Sequence, residues 1–155
     1  KLCVLTNATN LLKPEVAAAL ERFDLPMLKL DAMDPGWVKR VNRPQRPHDP
    51  AAVVAAMKRF GAKCVVQTMF LAGTADGVSV DNTTDEFVKP WLEAVKAIRP
   101  KLVSIYSLDR DAPCSTLRKA DQARLAEVGR LVEAAGIPVQ VSISASAVRR
   151  EKERN

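Results

Sequence analysis

"AKCVVQTMFL", residues 62–71, is the stretch that decides the fold class. It is an almost continuous apolar run with β-branched residues, and such a run predicts a strand that is buried on both faces. The segments on either side, residues 49–61 and 83–100, have the composition of helices. The first of them begins with Asp-Pro and ends with Gly, which are typical helix start and stop signals. A buried strand between two helices is typical of a parallel sheet with helical crossovers.

The same alternation extends along the chain in both directions. Further strands are predicted at residues 2–6, 25–30, 101–108 and 137–144, and further helices at 14–23 and 119–136. Parallel strands need such crossover connections, so the predicted fold class is α/β with a mostly parallel sheet. No GxGxxG or GxxxxGK[ST] segment follows the first strand, which argues against a dinucleotide-binding or P-loop fold.

Length and composition predict one domain, residues 1–145, followed by a charged tail, residues 146–155. The net charge of +6 is dispersed along the chain, so we expect no DNA partner. The three cysteines show neither CxxC nor metal-ligand spacing, and a reducing cytoplasm suits them best. Cys3 and Cys64 lie in apolar runs and are expected to pack in the interior. No apolar run is long enough to cross a membrane, and no membrane is expected as a partner.

Polar side chains gather at the predicted strand exits. They form the pairs Thr6 and Asn7, Lys29 and Asp31, Gln67 and Thr68, and Tyr106 and Ser107. In parallel α/β folds the carboxyl ends of the strands are where ligands bind. The sequence therefore predicts a binding site along this edge of the sheet.

Lys29 and Asp31 flank Leu30 at one of these exits. Side chains alternate between the two faces of a strand, so Lys29 and Asp31 share one face and Leu30 points to the other. Two interpretations stay open at this point. The cation and the carboxylate could both contact one bound molecule, or they could form a structural ion pair at the strand end.

Four segments, taken in their order along the chain, resemble the radical S-adenosylmethionine (SAM) family. They are LTNATNLL, LKLDAMDPGWVKRVNRP, VVQTMFLAG with a later DN, and RPKLVSIYSLDR. The likeness is strongest to the small iron–sulfur oxidoreductases related to wyosine-forming tRNA enzymes. The resemblance implies a partial (β/α) barrel, with a curved sheet and helices on its outer face. It also implies that SAM and a [4Fe–4S] cluster lie at the carboxyl ends of the strands.

Two departures from the family pattern matter. The CxxxCxxC segment that supplies the cluster thiolates is absent, so we expect the chain to be the C-terminal part of a longer enzyme, inactive alone and without cluster ligands of its own. Lys29 also occupies a position where many relatives carry a serine that contacts the cofactor. A lysine can still reach a carboxylate, as a point charge on a long stem.

The resemblance assigns roles to ten residues, and it assigns neither a catalytic residue nor a metal ligand. The cofactor-binding residues would be Asn7, Lys29, Asp31, Gln67, Tyr106 and Leu108, and the substrate-binding residues would be Thr6, Thr68, Asn82 and Arg110. Asn82 follows a segment, residues 72–81, that is expected to form a lid loop. Besides the Lys29–Asp31 pair, alternatives remain for two of the ten, because Asn82 could be a turn or capping residue and Arg110 could pair with a neighbouring aspartate.

Three functions from different classes follow. The first is a radical SAM iron–sulfur oxidoreductase acting on a small molecule or on a nucleotide or RNA-type substrate. The second is a lyase or aldolase-type barrel in which Lys29 forms a Schiff base, which requires a lowered lysine pKa. The third is a non-catalytic half-barrel that binds a nucleotide or a partner chain. The resemblance favours the first.

Overall fold

A computed structural model of the chain describes residues 1–109 and 114–142. Its strands are β1 (Cys3–Thr6), β2 (Leu25–Lys29), β3 (Val65–Met69), β4 (Leu71–Ala75), β5 (Val78–Ser79), β6 (Leu102–Tyr106), β7 (Leu117–Lys119) and β8 (Val139–Val141). Its helices are α1 (Pro14–Leu20), α2 (Pro35–Val41), α3 (Pro50–Met57), α4 (Asp85–Ile98) and α5 (Gln122–Ala134). The predicted tail, residues 146–155, and the predicted site residue Arg110 lie outside the described residues.

Five strands form one parallel sheet in the order β1-β2-β3-β6-β8. This order follows the order of the strands along the chain, whereas a doubly wound fold reverses direction at a switch point. Crossovers between parallel strands are right-handed, so successive crossovers in one direction place their helices on the same face. Within residues 1–109 and 114–142 the sheet is open, with β1 and β8 at its edges. The predicted α/β class and the partial barrel arrangement are confirmed.

The two faces of the sheet differ in chemistry. On the helix-covered face, Leu28, Val66 and Val103 stand side by side and are fully buried. They join a large apolar core that includes side chains of all the helices except α2. On the opposite face, Lys29, Gln67 and Ser104 form the next row across the same strands and remain partly exposed. The open face therefore carries polar side chains toward the carboxyl ends of the strands.

A second, antiparallel sheet of order β5-β4-β7 is an addition to the predicted fold. The segment expected to be a lid loop forms a hairpin instead, with Asp76 and Gly77 both at positive φ in its tight turn. An Asp-Gly pair between short apolar runs is a local hairpin signal. The Trp37 indole N–H donates to the Val80 carbonyl oxygen at 2.8 Å, so the hairpin end is fastened to α2.

Aspartate side chains begin three of the helices. Asp34 accepts a hydrogen bond from the Trp37 amide at α2, Asp49 from the Ala51 amide at α3, and Asp121 from the Arg124 amide at α5. Each carboxylate satisfies a backbone N–H that has no partner within the first helical turn. Among the described residues, the helices are too short or too polar to cross a membrane.

Candidate functional site at the strand exits

Lys29 and Asp31 meet at the carboxyl end of β2, as the alternation of side chains predicts. The Lys29 ammonium lies 3.1 Å from an Asp31 carboxylate oxygen, while Leu30 between them packs into the core on the other face. Lys29 also forms a hydrogen bond with the Tyr106 hydroxyl from β6. The lysine is therefore held from two sides, and its side chain keeps 25% of its surface exposed.

The ionisation of Lys29 is set by opposing effects. Burial acts to lower the pKa of its ammonium group, but the Asp31 carboxylate and the Tyr106 hydroxyl outweigh burial, and the pKa lies above its ordinary value. A Schiff-base lysine needs the opposite shift, because the neutral amine is the nucleophile. The environment of Lys29 thus favours a permanent positive charge over covalent chemistry.

Asp31 is deeply buried beneath Lys29 at the edge of the first cavity. Its side chain has no exposed surface, and it accepts hydrogen bonds from the Met69 amide at 2.9 Å and from the Asn42 side chain at 3.3 Å in addition to its contact with Lys29. Burial raises the pKa of this carboxyl above its usual value, although Lys29 and the Met69 amide oppose the shift. The structure thus gives Asp31 a role in positioning Lys29, and its direct contact with the cofactor stays a prediction.

Two cavities open at the strand exits, one on each side of the Lys29–Tyr106 contact. The first, of about 710 Å³, is lined by the predicted residues Asn7, Lys29 and Asp31. The second, of about 480 Å³, is lined by the predicted residues Gln67, Tyr106 and Leu108. Both volumes lie in the range of small-molecule sites. The six predicted cofactor-binding residues are therefore brought to one rim, but they are divided between two cavities.

Three of the predicted substrate-binding residues line neither cavity. Thr68 is on the helix-covered face, fully buried, where its hydroxyl donates to the Leu30 carbonyl and accepts from the Trp91 indole. Asn82 is also fully buried and bonds three backbone groups. Thr6 accepts a hydrogen bond from the Ala8 amide in a local turn. These hydrogen bonds give each of the three residues a structural role, and their substrate contacts stay predictions.

Sequence reasoning missed a set of basic residues around the first cavity. Lys13 reaches it from the segment between β1 and α1, and Arg43, Arg46 and His48 reach it from the segment between α2 and α3. The run VNRPQRPH holds the last three, and its basic and Pro-rich composition indicates an exposed loop. His48 is in fact partly buried. The signal in the sequence that could have identified this set is the group of arginines that follows closely after Lys29 and Asp31.

The cysteines do not fit an iron–sulfur cluster. Cys3 is exposed at the start of β1, Cys64 is buried beside β3, and Cys114 lies before β7. A cluster needs several thiolates that converge on one point. Within residues 1–109 and 114–142, no group of three or more His, Cys, Asp or Glu side chains is placed to hold a metal ion. The expectation that Cys3 packs in the interior is wrong, because its side chain points to the open face at an edge strand.

Neither a protein-family model nor a curated protein matches the sequence. Solved structures match its fold. One is a domain of pyruvate-formate lyase-activating enzyme from Bacteroides vulgatus ATCC 8482, with a TM-score of 0.67 over 91% of this chain and 80% of that domain, at 12% identity. The chain shares this fold.

A second solved structure is a radical SAM methyltransferase from Sphaerobacter thermophilus. It matches 90% of this chain with a TM-score of 0.63, at 19% identity. The chain spans 39% of the length of that protein. At these identities the likeness concerns the fold alone, and it agrees with the open parallel sheet described above.

Proposed function

We propose that this chain is the C-terminal portion of a radical SAM iron–sulfur oxidoreductase and that its strand exits contribute the contacts to SAM. Three observations support the proposal: the ordered sequence segments that resemble the family, the fold shared with a radical SAM methyltransferase, and the cavities at the rim of an open parallel sheet. The observation that carries most weight is the Lys29 ammonium, held by Asp31 and Tyr106 between the two cavities.

The charge of SAM suggests how it would lie against these residues. SAM carries a sulfonium, an ammonium and a carboxylate, and only the carboxylate is attracted to a lysine. Lys29 would therefore hold the carboxylate, while Asp31 fixes the direction of the lysine ammonium group without touching the ligand. Tyr106 and Gln67, with Leu108 beside them, offer hydroxyl, amide and apolar surface for the adenosine in the second cavity. The radical chemistry of the family is supplied by SAM and the cluster when both are bound.

The described part of this chain does not fit the [4Fe–4S] cluster, because its cysteines lie on separate elements and do not converge. The role of these residues is therefore limited to binding and orienting SAM. The proposal expects a CxxxCxxC segment in the portion of the protein that precedes residue 1. Determining the upstream coding sequence is the most economical test, and an upstream sequence without that segment would leave the non-catalytic half-barrel as the better interpretation.

Calorimetric titration with SAM tests the role of Lys29. We expect Lys29→Met to weaken SAM binding about tenfold or more, because a charge-assisted hydrogen bond at a partly buried site is lost. Lys101→Met is the matched control, since Lys101 is exposed and precedes β6 at the opposite end of the strands. Equal SAM affinity of Lys29→Met and the wild-type chain would contradict the proposed contact, and so would an equal loss in both variants.

A further inference from the structure

The first cavity has an excess of positive charge that the Lys29–Asp31 pair does not explain. Among the described residues that line it, Lys13, Lys29, Arg43 and Arg46 are cationic and Asp31 is the one carboxylate. Asp31 is already occupied by Lys29. Three basic side chains on two separate segments therefore surround the cavity without a lining carboxylate to balance them.

These three side chains have little competition from within the protein. Lys13 and Arg46 form no ion pair with any other residue in the described part of the chain. The Arg43 Nε donates to the Arg40 carbonyl at 3.2 Å, which leaves its terminal nitrogens for other partners. One of them pairs with Asp76 at 3.6 Å, but both side chains are 68% exposed, and such a pair is weak and screened by salt. All three are thus available to an anion in the cavity.

The backbone at Arg43 adds a second observation. Arg43 follows the end of α2 with a φ of 46°, in the left-handed region that favours glycine, and its amide donates to the Val38 carbonyl. Glycine would fit this helix end with less strain than arginine. Arg43 therefore occupies a position where the backbone alone would favour glycine, and its side chain lines the cavity.

We propose that the first cavity binds the phosphate group of a small phosphate ester, between Lys13 on one side and Arg43 and Arg46 on the other. This inference rests on the proposed function, because it names the substrate class of the same rim. Guanidinium groups suit phosphate oxygens, which they can bind in a bidentate manner. The concave shape and the volume of about 710 Å³ favour a small molecule over an extended nucleic acid, which would need a continuous basic groove.

The experiment compares ribose 5-phosphate with ribose as probes, by calorimetric titration of the whole chain. We expect ribose 5-phosphate to bind and ribose not to bind measurably. Arg43→Gly and Arg46→Ala should each weaken ribose 5-phosphate binding about tenfold. Arg43→Gly should keep or raise the thermal midpoint, because glycine suits the left-handed backbone, so a loss of binding cannot be attributed to unfolding.

Arg99→Gly is the matched control for Arg43→Gly. Arg99 is also an exposed arginine at a helix end with a positive φ of 53°, but it ends α4 at the opposite end of the sheet. This variant removes the same charge and the same backbone strain, and we expect it to leave ribose 5-phosphate binding unchanged. Equal losses in Arg43→Gly and Arg99→Gly would show a general charge effect and would overturn the proposal.

Two further arms separate this inference from its alternatives. If a short single-stranded RNA binds more tightly than ribose 5-phosphate and Arg43→Gly weakens that RNA binding, the basic residues serve a polyanion and the small-ester proposal is wrong. If Arg43→Gly weakens SAM binding as much as ribose 5-phosphate binding, the residues serve the cofactor and the proposal is again wrong. Phosphate binding without SAM binding would instead uphold the anion site and count against the proposed function.

Discussion

Replacing Asn82 by alanine should strongly destabilise the protein. The Asn82 side chain is fully buried, accepts a hydrogen bond from the Leu71 amide at 2.8 Å and donates to the carbonyl oxygens of Asp31 and Met69, each at 3.0 Å. It thereby ties the exits of β2 and β3 to the start of β4. Alanine would leave three backbone groups without this partner, two of them in fully buried hydrogen bonds and the third, the Met69 carbonyl, in a partly buried one.

The magnitude follows from these three groups. Each unsatisfied buried group costs about 1–3 kcal/mol, and water entering the space left by the amide recovers part of that cost. We therefore expect the free energy of unfolding to fall by about 3–4 kcal/mol, which is a large effect for a single substitution. Urea unfolding followed by far-UV circular dichroism, with linear extrapolation to water, measures this difference.

Asn10→Ala is the matched control, because it removes the same side chain at an exposed position. Its free energy of unfolding should stay within about 0.5 kcal/mol of the wild-type value. If Asn82→Ala changed stability by less than about 1 kcal/mol, or if it abolished SAM binding in a fully folded protein, Asn82 would be a ligand contact and the structural reasoning would fail.

Two further predictions concern Asp31 and Cys64. Asp31→Asn should lower the free energy of unfolding by about 1–3 kcal/mol, because the amide cannot accept from both the Met69 amide and the Lys29 ammonium; unchanged urea unfolding would contradict this. Burial raises the pKa of the Cys64 thiol from 9.0 to about 11, so the unfolded chain releases this proton first as the pH rises. As the pH rises from the unfolded to the folded pKa, stability should therefore fall by about 2 kcal/mol more in the wild-type chain than in Cys64→Ala, since the other groups that titrate in this range are common to both proteins. Urea unfolding of both proteins across that range measures the difference.

The alternation of strands and helices could be predicted from the sequence because it depends on local patterns. The apolar run that contains β3 reports burial on both faces, and the Asp-Pro start of α3 provides its own helix cap. The meeting of Lys29 and Asp31 is equally local, since residues two apart on a strand share a face. The hairpin of β4 and β5 also has a local signal, in Asp76 and Gly77, although the segment was expected to be a loop.

The hydrogen-bond partners of the polar residues at the exits were decided by the tertiary structure alone. Thr68 bonds Leu30, which lies 38 residues away in the sequence, and Asn82 bonds Asp31, which lies 51 residues away. No local sequence pattern can therefore distinguish these contacts within the protein from contacts with a ligand. Lys13 and Arg46 likewise line one cavity from segments on either side of β2. The alternation of side chains along a strand shows which face of that strand each side chain occupies. Whether a polar group there meets solvent, a ligand or another backbone depends on distant segments that fold against it, and their hydrogen bonds to it form only when the sheet assembles.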